Sequence, residues 1–124
     1  MVGQNNEALD IIVRKEDDQP VIDLLWRIAD LDVNRVQNKI DQLYKKSIPR
    51  IVIDVSKATF LDSHGLGTIV YYHTLMQKEG RQLLILNMNL DRTAYINRLF
   101  ELTNLDKVLN IVQKLWAPRS ESVV

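Results

Sequence analysis

The chain has no cysteine among its 124 residues. Disulfides, thiolate zinc sites and thiol nucleophiles are therefore excluded. With two histidines, no metal site richer than a carboxylate–imidazole pair is expected. There is no excess of either charge: 16 basic and 16 acidic side chains sum to zero. General electrostatic attraction to nucleic acid or to anionic lipid is thus not expected. No apolar run approaches the roughly 18 residues that cross a bilayer, and the first residues lack a signal-peptide pattern. With four glycines and three prolines, there is no linker, internal repeat or low-complexity tract. What remains is ordinary: 46% hydrophobic and 26% charged residues, as in globular proteins. At roughly 100–200 residues per domain this is one domain, large enough to bury a core without staples. The expectation is a soluble, cytoplasmic single domain.

The polar ends, residues 1–8 and 118–124, are expected to be flexible, which leaves the folded domain over 9–117. Leu9, Ile11 and Val13 alternate with Asp10 and Arg14 and read as a half-exposed first strand. Glu16 to Pro20 is a polar turn. Val21–Ile28 reads as a second strand with Ile22, Leu24, Trp26 and Ile28 on one face, so the two form a hairpin. Asp32 is a candidate N-cap for a helix carrying Val33, Val36, Ile40, Leu43 and Tyr44 at helical spacing and ending near Lys46. Ile51–Val55 is a β-branched run covered on both faces, hence central. A second helix spans Ser63 to Glu79 and stops at Gly80. Leu83–Leu86 is another strand. Asp91 caps a third helix bearing Ile96, Leu99 and Phe100, which Asn104 ends. Val108–Val112 is the last strand. Strands alternating with helices give an α/β fold. It is a mixed, mostly parallel sheet with an N-terminal antiparallel hairpin and helices packed on it.

The segment Thr59-Phe60-Leu61-Asp62-Ser63-His64-Gly65-Leu66-Gly67 leaves the central strand and opens the second helix, where function sits in open α/β sheets. A serine there lies beside unsatisfied N–H groups that favour a phosphoryl group. The plain alternative is that Asp62 or Ser63 is only the N-cap. Glycine costs roughly 0.8–1 kcal/mol in a helix, so Gly65 and Gly67 imply a close approach by another surface, either a strand of the same fold or a partner. No Gly-Lys-Ser/Thr follows, so this is not a Walker loop. Asp62, Ser63 and His64 are triad residue types, but chain neighbours diverge and cannot form the required hydrogen-bonded relay. His64 and His73, nine residues apart, fall on opposite helix faces and cannot share a metal. Asp54 at a strand end suggests a phospho-accepting receiver domain, with Glu16-Asp17-Asp18 as a superficial acidic pair. The hairpin after the first strand contradicts that analogy, so Asp54 is expected to orient the adjoining loop.

Ile51-Val52-Ile53-Asp54 followed by Thr59 to Gly67 resembles the signature of STAS domains, the sulfate-transporter and anti-sigma-factor-antagonist domains. Ala29-Asp30-Leu31-Asp32 resembles the family's Gly-Glu-Leu-Asp. Asn97 to Leu105 resembles its Arg-Leu-Phe-x-x-x-Gly-Leu element. The matches extend over about residues 9–112. The chain length resembles the anti-sigma factor antagonist branch. That resemblance implies a bacterial protein that captures an anti-sigma factor serine kinase and so regulates transcription indirectly. It implies release by phosphorylation at Ser63 and resetting by a phosphatase. It implies no catalytic residue, cofactor or metal, and no direct contact with nucleic acid or membrane. The implied partner surface contains Asp30, Asp32, Asp62, Ser63, His64, Gly65, Leu66 and Gly67. Along the second helix, Leu66, Ile69, Val70 and His73 lie opposite Thr68, Tyr71, Tyr72 and Leu75. The first set is expected to face the sheet, with Met76 at its border, so Tyr71 and Tyr72 join the implied partner surface; packing on a neighbouring helix is the alternative. His64 stands where the family often has serine or threonine. Ala29 and Asn104 replace turn glycines. The C-terminal helix meets Pro118 early. The alternatives are an interaction module not switched at Ser63 and a nucleotide- or small-anion-binding module.

Overall fold

The computed structural model describes residues 11–115. The ends expected to be flexible, and the start of the first strand at Leu9, lie outside the described residues. Strands β1 (Ile11–Glu16) and β2 (Gln19–Leu24) form the expected antiparallel hairpin. Its turn is Asp17-Asp18, both at positive φ, the conformation that lets a two-residue turn follow the strand twist. The chain continues through β3 (Trp26–Ile28), α1 (Leu31–Lys45), β4 (Arg50–Asp54), β5 (Ala58–Leu61) and α2 (Ser63–Lys78). Then come β6 (Gln82–Leu86), α3 (Tyr95–Thr103), a 3-10 turn (Leu105–Lys107) and β7 (Asn110–Val112).

The main sheet has the order β1-β2-β4-β6-β7, with every pair after the hairpin parallel. From β2 onward each new strand is added on the same side. Right-handed crossovers then place every connecting helix on one face of the sheet. The core follows that rule. Ile22, Ile51, Ile53, Leu83 and Ile85 point to the helical face and meet Val36 and Ile40 of α1, Ile69 and Met76 of α2, and Ile96 and Phe100 of α3. The opposite face carries a small cluster of Val21, Val52 and Leu86 to which no helix among the described residues contributes.

Several elements differ from the sequence reading. The expected strand Val21–Ile28 is two strands. Trp26 adopts φ +63°, and the register shifts between Trp26 and Arg27 as β3 leaves the main sheet to pair with β5. At that break Trp26 turns outward and is 54% exposed, while Ile22, Leu24 and Ile28 are fully buried. Residues 58–61, read as loop, form β5 because β3 offers them a parallel partner. Helix α1 starts at Leu31 rather than after Asp32; Asp30 holds the cap position without a side-chain cap bond. Asp32 pairs with Arg35 at 3.0 Å. Asp91 caps a turn rather than the third helix: its carboxylate accepts from the Thr93 N–H and hydroxyl, and α3 begins four residues later. The last strand is short because the 3-10 turn occupies its expected approach. Gly80 and Asn104, at φ +74° and +60°, end α2 and α3 as expected.

Candidate functional site

Pairing of β3 with β5 brings the β3–α1 and β5–α2 junctions side by side. Asp62 joins them. One carboxylate oxygen accepts the Gly65 N–H at 2.8 Å, capping α2; the other accepts the Asp30 N–H at 3.2 Å. The Gly65 N–H, aided by the Asp30 N–H and against partial desolvation, holds the Asp62 carboxyl below the usual carboxylate range. Positive φ falls on Asp30 at +56°, so the position of Ala29 needs no glycine. Helix α3 braces the same corner: the Tyr95 hydroxyl donates to the Leu61 carbonyl at 3.0 Å, and the Tyr95 ring stacks on Phe60.

With Asp62 as the cap, Ser63 is free of that duty and stands exposed at the first helical position. The two glycines have different causes. A Cβ on Gly65 would lie 2.7 Å from Leu61 Cδ1, so β5 itself is the close surface. A Cβ on Gly67 would meet nothing within 4 Å. Gly67 instead lines a groove of about 390 Å³ with Ser63, His64, Thr68, Tyr71 and Tyr72 of α2 and Gln37 of α1. Nothing in the sequence flagged Gln37, which sits among the polar residues of α1. Among the described residues no lysine or arginine lines the groove.

Five of the expected surface residues, Asp30, Ser63, His64, Gly67 and Tyr71, are exposed; Asp32 and Asp62 are half-buried. Gly65, Leu66 and Tyr72 are buried, and this corrects their assignment to the surface. Gly65 packs on Leu61, and Leu66 enters the core. Tyr72 packs on α1: its ring meets Tyr44 edge-on at 5.8 Å, and its hydroxyl donates to Asp41 at 2.8 Å. Burial, aided by Asp41, raises the Tyr72 pKa. Tyr72 thus follows the helix-packing alternative, whereas Tyr71 is 60% exposed. Thr68, expected on the outer face, is buried and donates to the His64 carbonyl at 3.0 Å.

Both Asp62 oxygens are committed to backbone donors, so Asp62 does not orient an imidazole. His64 is exposed and His73 buried. Asp54 accepts from Arg14 at 3.1 Å and from the Ser56 N–H at 2.9 Å, which makes it the loop-orienting residue expected. Among the described residues no His, Asp or Glu cluster is placed to hold a metal ion, and no helix is long and apolar enough to cross a membrane.

This arrangement matches known proteins. Solved structures with the same fold include the anti-sigma factor antagonist SpoIIAA in its unphosphorylated form. It is 14% identical, with 91% of this chain and 94% of that chain covered and a TM-score of 0.60. An anti-sigma factor antagonist from Mycobacterium paratuberculosis is 22% identical over 85% of this chain and 86% of that chain, with a TM-score of 0.67. The Bacillus cell fate determinant SpoIIAA in its phosphorylated form is 15% identical over 91% and 96%, with a TM-score of 0.61. At these identities the likeness is one of fold. The STAS domain family model matches residues 10–116, and the chain belongs to the STAS domain family.

Proposed function

We propose that this protein is an anti-sigma factor antagonist that binds an anti-sigma factor serine kinase through the start of α2, and that phosphorylation of Ser63 turns the binding off. The observation that carries this reading is the release of Ser63 from capping: Asp62 caps the helix, and Ser63 is exposed on the rim of the groove. A kinase reaches such a hydroxyl without unfolding the helix. Gly67 supports the same reading, because a helical glycine with open space above it has no internal packing reason. A close external surface is the alternative reason.

The phosphate adds about −1.5 to −2 charges and three acceptor oxygens. It would stand beside Asp62, which is held anionic, on a groove to which the described residues bring no cationic side chain. Repulsion and desolvation in a closed interface amount to several kcal/mol when a charge is left unpaired, and about 1.4 kcal/mol is tenfold in affinity. A phosphatase would restore the binding form. The protein acts on transcription only through its partner, and Ser63 is the kinase's substrate rather than a catalytic residue. That the described residues place no lysine or arginine around the groove also sets this reading above the small-anion module.

The test is incubation with the kinase-type anti-sigma factor and ATP, followed by mass spectrometry, then binding of wild type, Ser63→Ala and Ser63→Asp. Phosphate on Ser63 and weak binding by Ser63→Asp alone are expected. Equal binding by all three proteins, with no phosphate on Ser63, supports the unswitched interaction module instead.

A further inference from the structure

The crossover from β6 to β7 carries an open cavity that shares no residue with the Ser63 groove. It is a trough of about 550 Å³ between α3 and the outer part of the sheet, within the size range of small-molecule sites. Its top lies at the carboxyl ends of β6 and β7, where open α/β sheets bind ligands. Asn87 and Gln113 stand there, at the positions that follow the paired Leu86 and Val112. Asn87 is buried and fixes the rim through neighbouring asparagines. Its side-chain amide donates to Asn97 Oδ1 at 2.6 Å, and its oxygen accepts the Asn89 N–H at 3.1 Å. Asn97 in turn donates to the Asn89 and Asp91 carbonyls at 2.8 and 2.7 Å. These bonds tie the β6–α3 loop down, so the groups it presents are placed before any ligand arrives.

The charges that line the trough are segregated. Arg92 lies in the β6–α3 loop and Arg98 in the first half of α3; Glu101 lies in its second half and Asp106 in the 3-10 turn after it. Helix α3 returns from the carboxyl end of β6 to the amino end of β7. The two arginines therefore belong to the top of the trough and the two carboxylates to the bottom. The helix dipole has the same sense, positive at the start of α3 and negative at its end. Among the described residues none of these four side chains has an ion pair or a side-chain hydrogen bond. Phe100 and Ile111 give the lining an apolar part between the two ends.

A simple anion fits one end of this trough and is repelled by the other; a simple cation fits the reverse. A zwitterion fits both. Arg98 and Glu101 are about 4.5 Å apart along the helix axis, and the nine residues of α3 span about 13 Å. Glycine carries both of its charged groups on one carbon, too close for that separation. A carboxylate and an amine joined by a short methylene chain, as in basic and ω-amino acids, match it. We propose that the trough is a binding site for a small zwitterion of this kind. Arg92 and Arg98 hold its carboxylate, Phe100 and Ile111 carry its methylene chain, and Glu101 and Asp106 hold its amine. The proposal does not rest on the function proposed for the Ser63 groove.

The test is titration of the isotope-labelled full chain with 6-aminohexanoate, followed by backbone amide NMR shifts. Saturable shifts are expected in residues 87–101 and 106–113. L-Lysine is expected to shift the same residues. Hexanoate and hexylamine, each satisfying one end only, are expected to bind about tenfold more weakly. Arg98→Ala and Glu101→Ala replace exposed side chains; each is expected to keep the wild-type melting temperature and to lose affinity several-fold. Absence of saturable shifts in the trough overturns the proposal. So does hexanoate or hexylamine binding as tightly as 6-aminohexanoate, because the site is then one for a simple ion. Unchanged affinity in both variants overturns it as well.

Discussion

Two glycines of the same helix should respond oppositely to the same substitution. Gly67→Ala adds a methyl group where nothing lies within 4 Å. Only the helix-propensity difference remains, about 1 kcal/mol in favour of alanine. For 124 residues, an unfolding entropy of about 2.1 cal/mol/K per residue converts that gain to a rise of about 4 °C in melting temperature. Gly65→Ala places its Cβ 2.7 Å from Leu61 Cδ1. Leu61 is only 2% exposed, so its side chain must shift within the core to make room. Overpacking costs about 1–3 kcal/mol. Set against at most about 1 kcal/mol of propensity, Gly65→Ala should lose up to about 2 kcal/mol. Urea denaturation of both variants reads the signs directly. Equal stabilisation by the two would refute the packing assignment of Gly65, and destabilisation by Gly67→Ala would show an internal role for that glycine. The pair also bears on function: Gly67→Ala should bind the kinase partner more weakly although it is the more stable protein.

The Asp62 carboxyl is held below its unfolded value of about 3.9. Its ionic contribution is therefore complete above that pH and is lost as pH falls through the lower folded value. The stability gap between wild type and Asp62→Asn, followed by urea denaturation, should be constant near neutrality and close in acid; a gap that does not change with pH contradicts the assigned cap. Tyr72→Ala should cost about 3–5 kcal/mol by emptying the α1–α2 contact. Tyr71→Ala, which removes an edge-on contact with Tyr72 at 5.0 Å, should cost only about 0.5–1.5 kcal/mol yet weaken partner binding; differential scanning calorimetry with a binding assay separates the two.

Those tyrosines mark where the sequence stops being legible. Adjacent residues on a helix lie about 100° apart, so one pattern allows either to face outward. Which one does depends on where α1 crosses α2, and that crossing is tertiary. Elements with strong internal signals were readable: the β-branched run of β4, the amphipathic spacing of α1, and the helix stops at Gly80 and Asn104. β5 was not, because Thr59-Phe60 forms a strand only when β3 lies beside it. β3 itself was hidden by an alternation that continues through Trp26, where positive φ turns that one side chain outward.

The site was legible in its motif but not in its division of labour. Asp62 and Ser63 are both capping residues by type, and sequence alone leaves either in that role. Geometry separates them, since Asp62 holds the Gly65 and Asp30 N–H groups with its two oxygens. One carboxylate thereby fixes the start of α2 and ties it to the turn before α1. A phosphate on Ser63 would break neither bond, because Ser63 supplies neither. The proposed switch then requires no refolding. It acts as added charge on a surface that keeps its shape, and its strength should fall as salt screens that charge. Binding of Ser63→Asp to the kinase partner, measured across ionic strength, should therefore recover in part towards that of Ser63→Ala as salt is raised; a deficit unaffected by salt would place the cause in desolvation within the closed interface rather than in repulsion.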